Sequence, residues 1–403
     1  MPRRDLTLKA GQRAWLREPR LRALLRLLNG DGGETRVAGG AIRNAILGQP
    51  IADIDLATTL LPEQVSARAA RQGFSVHPTG IDHGTVTVVV QGGPFEVTTL
   101  RRDVSTDGRR ATVAFTADWR KDAFRRDFTM NAMFCDAAGK IYDFTDGYAA
   151  CVNHRVSFVG SPAGRIREDY LRILRFFRFH AAYGRGALDQ AGLAACKRLR
   201  KGLASLSVER IRQELLKLLV APRAVETLKA MAEAKILAMV LPFQPEWRVL
   251  KRLPADAMLR LHVLAAPSDD LQQRLRLSKD EAKRLRALAE APPLSPALRP
   301  DERRQLLYAL GPAAFRDAVH LAWARSRASL ADPQWRSLLR LPGRWAAPQF
   351  PVTGADLIAT GLAPGPAMGE MLRSLEDWWI ASSFKPSRGD LLARAKTQGK
   401  DHA

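Results

Sequence analysis

Asp53 and Asp55 are separated by a single residue near the end of the run RVAGGAIRNAILGQPIADIDLAT, residues 36–58. In a strand, residues i and i+2 project to one face, so the two carboxylates stand side by side and Ile54 turns into the core. Paired anions repel unless a cation sits between them. Hard oxygen ligands suit Mg²⁺, which commonly takes one or two protein carboxylates and completes its shell with substrate phosphates. Upstream, Gly39 and Gly40 let the backbone approach a phosphate closely, and the helix start behind them offers free N–H groups to an anion. Arg43, one turn in, adds a charged donor. Taken singly, an Asp-x-Asp is a solvated strand edge and a Gly-Gly is a loop. Their combination, with Arg43 between, reads as a site for a metal–nucleotide complex.

The surrounding residues supply the elements that position this site. Leu21, Leu24, Leu25 and Leu28 recur at helical spacing and predict a helix over about 13–28. Strands are expected at 35–38, 51–58, 74–78, 85–90 and 95–99, with a helix over 62–72. Together they make a small mixed sheet with helices against it. The polar, glycine-containing stretch 101–122 reads as a long mobile loop. RRDFTMNAM, residues 125–133, reads as a basic turn leading into a strand or helix, and 141–150 as a last strand and turn. Beyond about residue 155 the strand signal ends, and helices with short Pro or Gly breaks follow. The expected organisation is an α/β head at 1–155, a helical neck at 156–240, and a helical body and tail at 241–403.

The neck holds a second constellation, REDYLRILRFFRF, residues 167–179. Leu171, Ile173, Leu174, Phe176, Phe177 and Phe179 surround most of one helix, which marks it as buried. Yet Asp169, Arg172, Arg175 and Arg178 recur every three residues, and buried arginines need partners. One reading gives them a structural carboxylate, such as Asp169 itself, Glu209 or Glu214. The other makes the helix a base-recognition surface, its arginines also touching phosphate. An Asp acceptor beside an Arg donor matches the amino edges of cytosine and adenine. It would face a carbonyl in uracil or guanine, a mismatch costing on the order of 1–3 kcal/mol when buried.

Composition narrows the partners. The 403 residues carry a formal net charge of +22, an excess that suggests a polyanion: RNA, DNA or an anionic membrane surface. Residues 1–20 are basic, with Arg3, Arg4, Lys9, Arg13, Arg17 and Arg20, and by themselves read as a solvated arm and helix face. No apolar run is long enough to span a bilayer, and the first residues lack an apolar signal core. Cys135, Cys151 and Cys196 have no metal-type spacing and read as buried thiols in a reducing cytosol, so a cytoplasmic location is expected.

The glycine turn and the Asp-x-Asp strand resemble the signature of polymerase β-type nucleotidyltransferases. More narrowly, they resemble the class II tRNA nucleotidyltransferase (CCA-adding enzyme) and bacterial poly(A) polymerase family. Asn44 stands where that family's GG-x-x-R-D motif has an aspartate. The resemblance covers about 20–220 specifically and TGADLIATGLAPGPAMGEMLRSLE, residues 353–376, weakly. It implies a polymerase β-like head followed by helical neck, body and tail. Asp53 and Asp55 would be catalytic and would hold Mg²⁺ for two-metal in-line transfer. Gly39, Gly40, Arg43 and Arg126 would bind the nucleotide's phosphates. Glu168, Asp169 and Arg172 match the family's E-D-x-x-R motif, in which protein side chains select the base. Positions matching Arg175 and Arg178 add nucleotide contacts one and two turns on. Asp127 would either orient Arg126 or serve as a further active-site carboxylate, and Glu168 would support the motif. ERIRQELLKLL, residues 209–219, resembles a motif that packs the neck helices.

The implied activity is addition of CMP, CMP and AMP to a tRNA 3′ end from CTP and ATP, with no membrane or protein partner. A poly(A) polymerase, or a CC- or A-adding specialist, shares these motifs. PTGIDHGTVTVV, residues 78–89, resembles the tRNA-type members. A non-catalytic RNA-binding protein is the alternative from another class, and the intact aspartate pair speaks against it.

Overall fold

The computed structural model describes residues 6–81, 84–107, 110–265 and 269–400. Arg3 and Arg4 of the basic arm, and Asp82 and His83 of the segment 78–89, lie outside them. By internal contacts the chain divides into two units. The first runs to Phe243 and includes Gln273–Arg276. The second comprises Gln244–Gln272 and Leu277 onward.

The first unit opens with β1 (Leu6–Thr7) and a 3₁₀ turn (Ala10–Arg17), then helix α1 (Pro19–Leu28). The single helix expected over 13–28 is thus two pieces. Pro19 starts α1 rather than continuing the turn, and the Glu18 carboxylate caps it by accepting from Leu21 N–H at 2.6 Å. The four leucines of α1 are buried, as their spacing requires. β2 (Thr35–Ala38) leads through Gly39 into α2 (Gly40–Leu47), and then come β3 (Asp55–Thr58), α3 (Pro62–Arg71), β4 (Ser75–Gly80), β5 (Thr85–Val90) and β6 (Gly93–Thr99). β5 alternates buried Val86, Val88 and Val90 with half-buried threonines and valine, the pattern of a strand with one face on the core.

Arg101–Asp107 (β7) and Arg110–Phe115 (β8) form a separate two-stranded antiparallel sheet. This corrects the expected mobile loop: a polar, weakly periodic stretch pairs as two antiparallel strands through its backbone, and residues 108–109 between them lie outside the described residues. α4 (Trp119–Phe124), β9 (Met133–Cys135), β10 (Lys140–Asp143) and α5 (Gly147–Val152) complete the head. The main sheet has the order β1-β10-β9-β2-β3-β6-β5-β4, with β3 and β6 parallel and the other pairs antiparallel.

After the head come α6 (Pro162–Glu168), α7 (Leu171–Tyr183), α8 (Gln190–Leu199) and α9 (Val208–Leu219). Phe128 from the RRDFTMNAM segment meets Phe158 at 5.0 Å and Phe179 at 4.9 Å, and Phe158 stacks on Phe176 at 5.4 Å. Burying each ring contributes roughly 1.5–3 kcal/mol, so this cluster joins α7 to the segments around Phe128 and Phe158. The run 167–179 is not one helix. Asp169 is extended, and its Oδ1 accepts from Leu171 N–H at 3.1 Å. A short acceptor side chain thus competes with the helix backbone and starts a new helix.

The second unit is helical throughout its described secondary structure. Two apolar clusters fill it, one around Phe315, Trp323 and Trp335, the other around Leu357, Leu375 and Trp379. Between Pro300 and Arg325 the helix is interrupted at Gly311, whose φ of 74° departs from helical geometry just before Pro312. In the segment that resembles the family's tail, Asp356 accepts from the Thr353 N–H at 2.7 Å, and Pro366 begins the next helix. No helix of the described residues is long and apolar enough to cross a membrane.

Candidate active site

β2 and β3 pair antiparallel with Ala38 opposite Asp55. Asp55 therefore sits at the end of the strand pair from which the glycine turn departs. Asp53 precedes β3 on coil, and Ile54 is half-buried rather than in the core, so the expected strand 51–58 is shorter at its start. Both aspartates line a cavity of about 650 Å³, together with Thr87, Phe95 and Glu96. β6 runs parallel to β3 with Val97 beside Leu56, which brings Glu96 alongside Asp55. The cavity wall desolvates Asp55, and Glu96, then Asp53, press on it; together they outweigh Arg126 and raise its pKa.

That is a carboxylate group short of positive charge, which fits a divalent cation. Among the described residues no three metal-binding side chains converge as a ready-made cage. Two carboxylates, the number that Mg²⁺ commonly takes from protein, are what the aspartate pair offers a cation. Glu18 and Arg20 face the same cavity, with Arg20 Nε 2.5 Å from Glu18 Oε1. The sequence singled out none of Glu18, Arg20 and Glu96 as site-lining. The usable signal was Glu96, a charged residue between Phe95 and Val97 in a strand whose neighbours are buried.

The turn itself is strained for any residue but glycine. Gly39 has φ 66° and ψ −106°, and a Cβ there would lie 3.2 Å from Asn131 O and 3.3 Å from Arg126 Nη1. Its N–H donates to Met133 O at 3.0 Å, tying the turn to β9. The Arg126 guanidinium thus stands directly over Gly39. It is held there by Asp122, which accepts from Arg126 Nη2 at 3.0 Å and from Arg125 Nε at 2.8 Å. Burial would raise the Asp122 pKa, but Arg126 and Arg125 hold it below the usual carboxylate range. Asp122 orients Arg126; Asp127 does not. Asp122 lies four residues before Arg126 on one helical turn, a spacing visible in WRKDAFRRD.

Arg43 is not a free phosphate donor. It is only 7% exposed and donates to Asn131 Oδ1 at 2.6 Å, Tyr183 Oη at 2.9 Å and Asn44 Oδ1 at 2.9 Å, with its guanidinium 4.0 Å from the Tyr183 ring centre. A guanidinium only donates, so the atom of Asn44 that faces it is the oxygen. The Asn44 amide nitrogen is then turned to Pro50 O, 2.8 Å away. A carboxylate at this position could not make that second bond. Asn44 thereby ties α2 to the segment that delivers Asp53.

The arginines of α7 are also engaged. Arg175 donates to Asp127 Oδ2 from Nε at 2.8 Å and Nη2 at 2.5 Å, and its Nη1 lies 3.6 Å from Glu214. Asp127 further accepts from Phe128 N–H at 2.8 Å. Burial opposes its ionisation, yet Arg175 wins and lowers its pKa. Arg178 meets Glu214 at 2.5 Å. Arg172 pairs with Glu168, which also takes Arg165 at 2.8 Å. Asp169, expected beside Arg172 on one helix face, lies outside α7 and accepts from Arg210 Nη2 at 2.6 Å. The structure thus places Asp127, Arg175, Arg178 and Glu214 in one ladder across the head, α7 and α9. It does not bring Asp169 and Arg172 together as a pair.

Comparison with known proteins agrees with this architecture. Residues 35–157 match the model of the poly A polymerase head domain, and 187–247 that of the probable RNA and SrmB-binding site of polymerase A. The chain is 36% identical over 393 residues to the mitochondrial CCA tRNA nucleotidyltransferase 1 of Danio rerio, covering 89% of this chain and 86% of that one. It is 32% identical to a CCA-adding enzyme of Limosilactobacillus fermentum, over 88% and 90% of the two chains. The crystal structure of the Bacillus stearothermophilus CCA-adding enzyme in complex with CTP superimposes with a TM-score of 0.80 at 28% identity, covering 96% of this chain and 99% of that one. The chain belongs to the CCA tRNA nucleotidyltransferase family, whose members named here are nucleotidyl-transferring enzymes.

Proposed function

We propose that this chain adds CMP, CMP and AMP to the 3′ end of tRNA, using CTP and ATP and releasing pyrophosphate. The observation that carries this reading is the under-compensated aspartate pair beside the glycine turn, in a chain whose relatives across nearly its whole length are CCA-adding enzymes. Asp53 and Asp55 would hold Mg²⁺, which when bound supplies charge neutralisation for the triphosphate and activation of the RNA 3′-hydroxyl. The backbone at Gly39 and Gly40 and the Arg126 guanidinium position the phosphates. Arg43 and Asn44 act one step back, fixing the turn and the approach to Asp53.

Asp169 and Arg172 select the base edge, with Arg210 and Glu168 holding them until a nucleotide enters. Arg175 and Arg178 act through Asp127 and Glu214, keeping α7 against the head. The basic surface grips the tRNA backbone without reading sequence. The location is the cytoplasm, in keeping with three buried, free thiols. To test the reading, tRNA lacking its 3′ CCA is incubated with each labelled nucleotide and Mg²⁺, and the products are sequenced. Addition of C, C and A in that order supports it. Runs of A, or a stop after CC, would reassign the chain within its family.

A further inference from the structure

A second cavity, of about 750 Å³, opens in the first unit and shares no lining residue with the aspartate cavity. It borders Glu34, Thr35 and Arg36, whereas Asp55 stands opposite Ala38. The two openings therefore lie toward opposite ends of the β2–β3 pair, about 10 Å apart along the strand at the usual rise.

The second cavity is walled by Arg13 and Arg17 of the 3₁₀ turn, Arg22 and Arg26 of α1, and Arg36 of β2, against the carboxylates of Glu34 and Asp136. Both carboxylates are committed. Glu34 accepts from Arg36 at 3.0 Å and from Trp119 Nε1 at 2.8 Å. Asp136 accepts from the Tyr142 hydroxyl at 3.2 Å and from the Ala138 and Lys140 N–H groups. Arg36 is fixed between two rings, 4.1 Å from Trp119 and 3.6 Å from Tyr142. None of the described carboxylates forms an ion pair with Arg17, Arg22 or Arg26, and these three are exposed. Arg26 follows Arg22 by four positions, so they stand one helical turn apart. Like charges gathered round a cavity repel one another, and an anion placed there removes that repulsion.

We propose that this cavity is a second phosphate-binding site, which takes the sugar–phosphate backbone of RNA at a distance from the reacting 3′ end. Guanidinium groups present paired donors to phosphate oxygens, and Arg36 is preorganised to do so. Tyr142, the aromatic side chain in the lining, already carries Arg36 on its ring, so the cavity offers no open ring on which to stack a base. Phosphate alone is what the walls recognise, and a backbone supplies it in series. The proposal requires an RNA partner but not the reaction sequence proposed above. Its test measures binding without turnover, so either reading can fail alone.

The variant Arg22→Gln with Arg26→Gln removes two exposed charges and leaves the core leucines of α1 untouched. Binding of tRNA lacking its 3′ CCA is followed by fluorescence anisotropy over a series of salt concentrations, and CTP affinity is measured in parallel. The variant is expected to bind tRNA several- to tenfold more weakly at low salt, with the log–log salt slope reduced in magnitude by roughly one to two. Its CTP affinity should equal that of the parent. Thermal stabilisation by inorganic pyrophosphate separates the phosphate sources. If the variant loses that stabilisation and keeps the tRNA salt slope, the RNA assignment is overturned in favour of a free anion. If neither changes, there is no phosphate site in this cavity.

Discussion

The aspartate cavity and the arginine-bearing helix α7 treat charge in opposite ways. At the cavity, Asp53, Asp55 and Glu96 face one space, and the nearby guanidiniums of Arg126 and Arg20 are tied to Asp122 and Glu18. On α7, Arg172, Arg175 and Arg178 each have a carboxylate within ion-pair distance. Unpaired negative charge around a cavity costs stability, and a bound cation would offset it. A helix that must be buried has no such relief. The recurrence of arginine on α7 is thus first a packing solution, whatever its ends also do for a nucleotide.

That contrast can be broken at several points. Asp53→Asn or Asp55→Asn should abolish nucleotide incorporation while leaving tRNA affinity nearly intact, because a lost metal ligand removes several kcal/mol of transition-state stabilisation. Near-normal turnover in either mutant would dismiss the metal assignment. Arg175→Ala leaves the Asp127 charge without its partner and should destabilise the first unit by about 3–5 kcal/mol, read from denaturant unfolding. The pH dependence has a definite sign. The folded-state pKa of Asp127 is depressed, so its stabilisation is present above the ordinary carboxylate value and lost as pH falls through the lower folded value. Arg175→Ala should flatten that acid-side loss, and an unchanged acid profile would remove Asp127 from the account.

Asp169→Ala sharpens the question of base selection. Its ratio of kcat/KM for CTP over UTP should fall roughly ten- to a hundredfold, the scale of one or two polar contacts. A folded mutant with an unchanged ratio would make Asp169 a cap and an ion-pair partner only. Asn44→Asp sets a carboxylate against Pro50 O and costs on the order of 1–3 kcal/mol locally. It should lower kcat with little change in KM for tRNA, and equal activity would show that the Pro50 bond positions nothing. The smallest effect is on stability: with its pKa raised by its surroundings, Asp55 opposes folding when ionised. In metal-free buffer at neutral pH, Asp55→Asn should therefore melt slightly higher than the parent. A lower melting temperature would contradict the excess of negative charge.

What the sequence made legible was local. Strand alternation in TVTVVV, the leucines of α1 and the glycine turn each rest on neighbours a few residues apart, and each is found in the structure. What it concealed was either distant or competing. Glu96 reaches Asp55 through a parallel strand pair some forty residues apart, and no local pattern encodes that register. The apolar period runs on through Asp169 and predicts one helix, yet the Asp169 side chain bonds the backbone and splits the helix. From its position behind the glycine turn, Arg43 reads as a phosphate donor. Its burial depends on Asn131 and Tyr183, residues from two other segments. Of the three carboxylates the sequence offers the α7 arginines, Glu214 meets Arg175 and Arg178, whereas Glu209 pairs with Arg276 and Asp169 with Arg210.

The three cysteines carry one further consequence. Burial raises Cys135 and Cys151 to about 12 and pushes Cys196 up as well, so none forms a reactive thiolate at neutral pH while folded. Cys135 lies in β9, Cys151 in α5 and Cys196 in α8. Thiol-specific reagents thus find no target until one of these elements opens. A single surface cysteine introduced elsewhere would be labelled alone, with no need to remove the three that are already there.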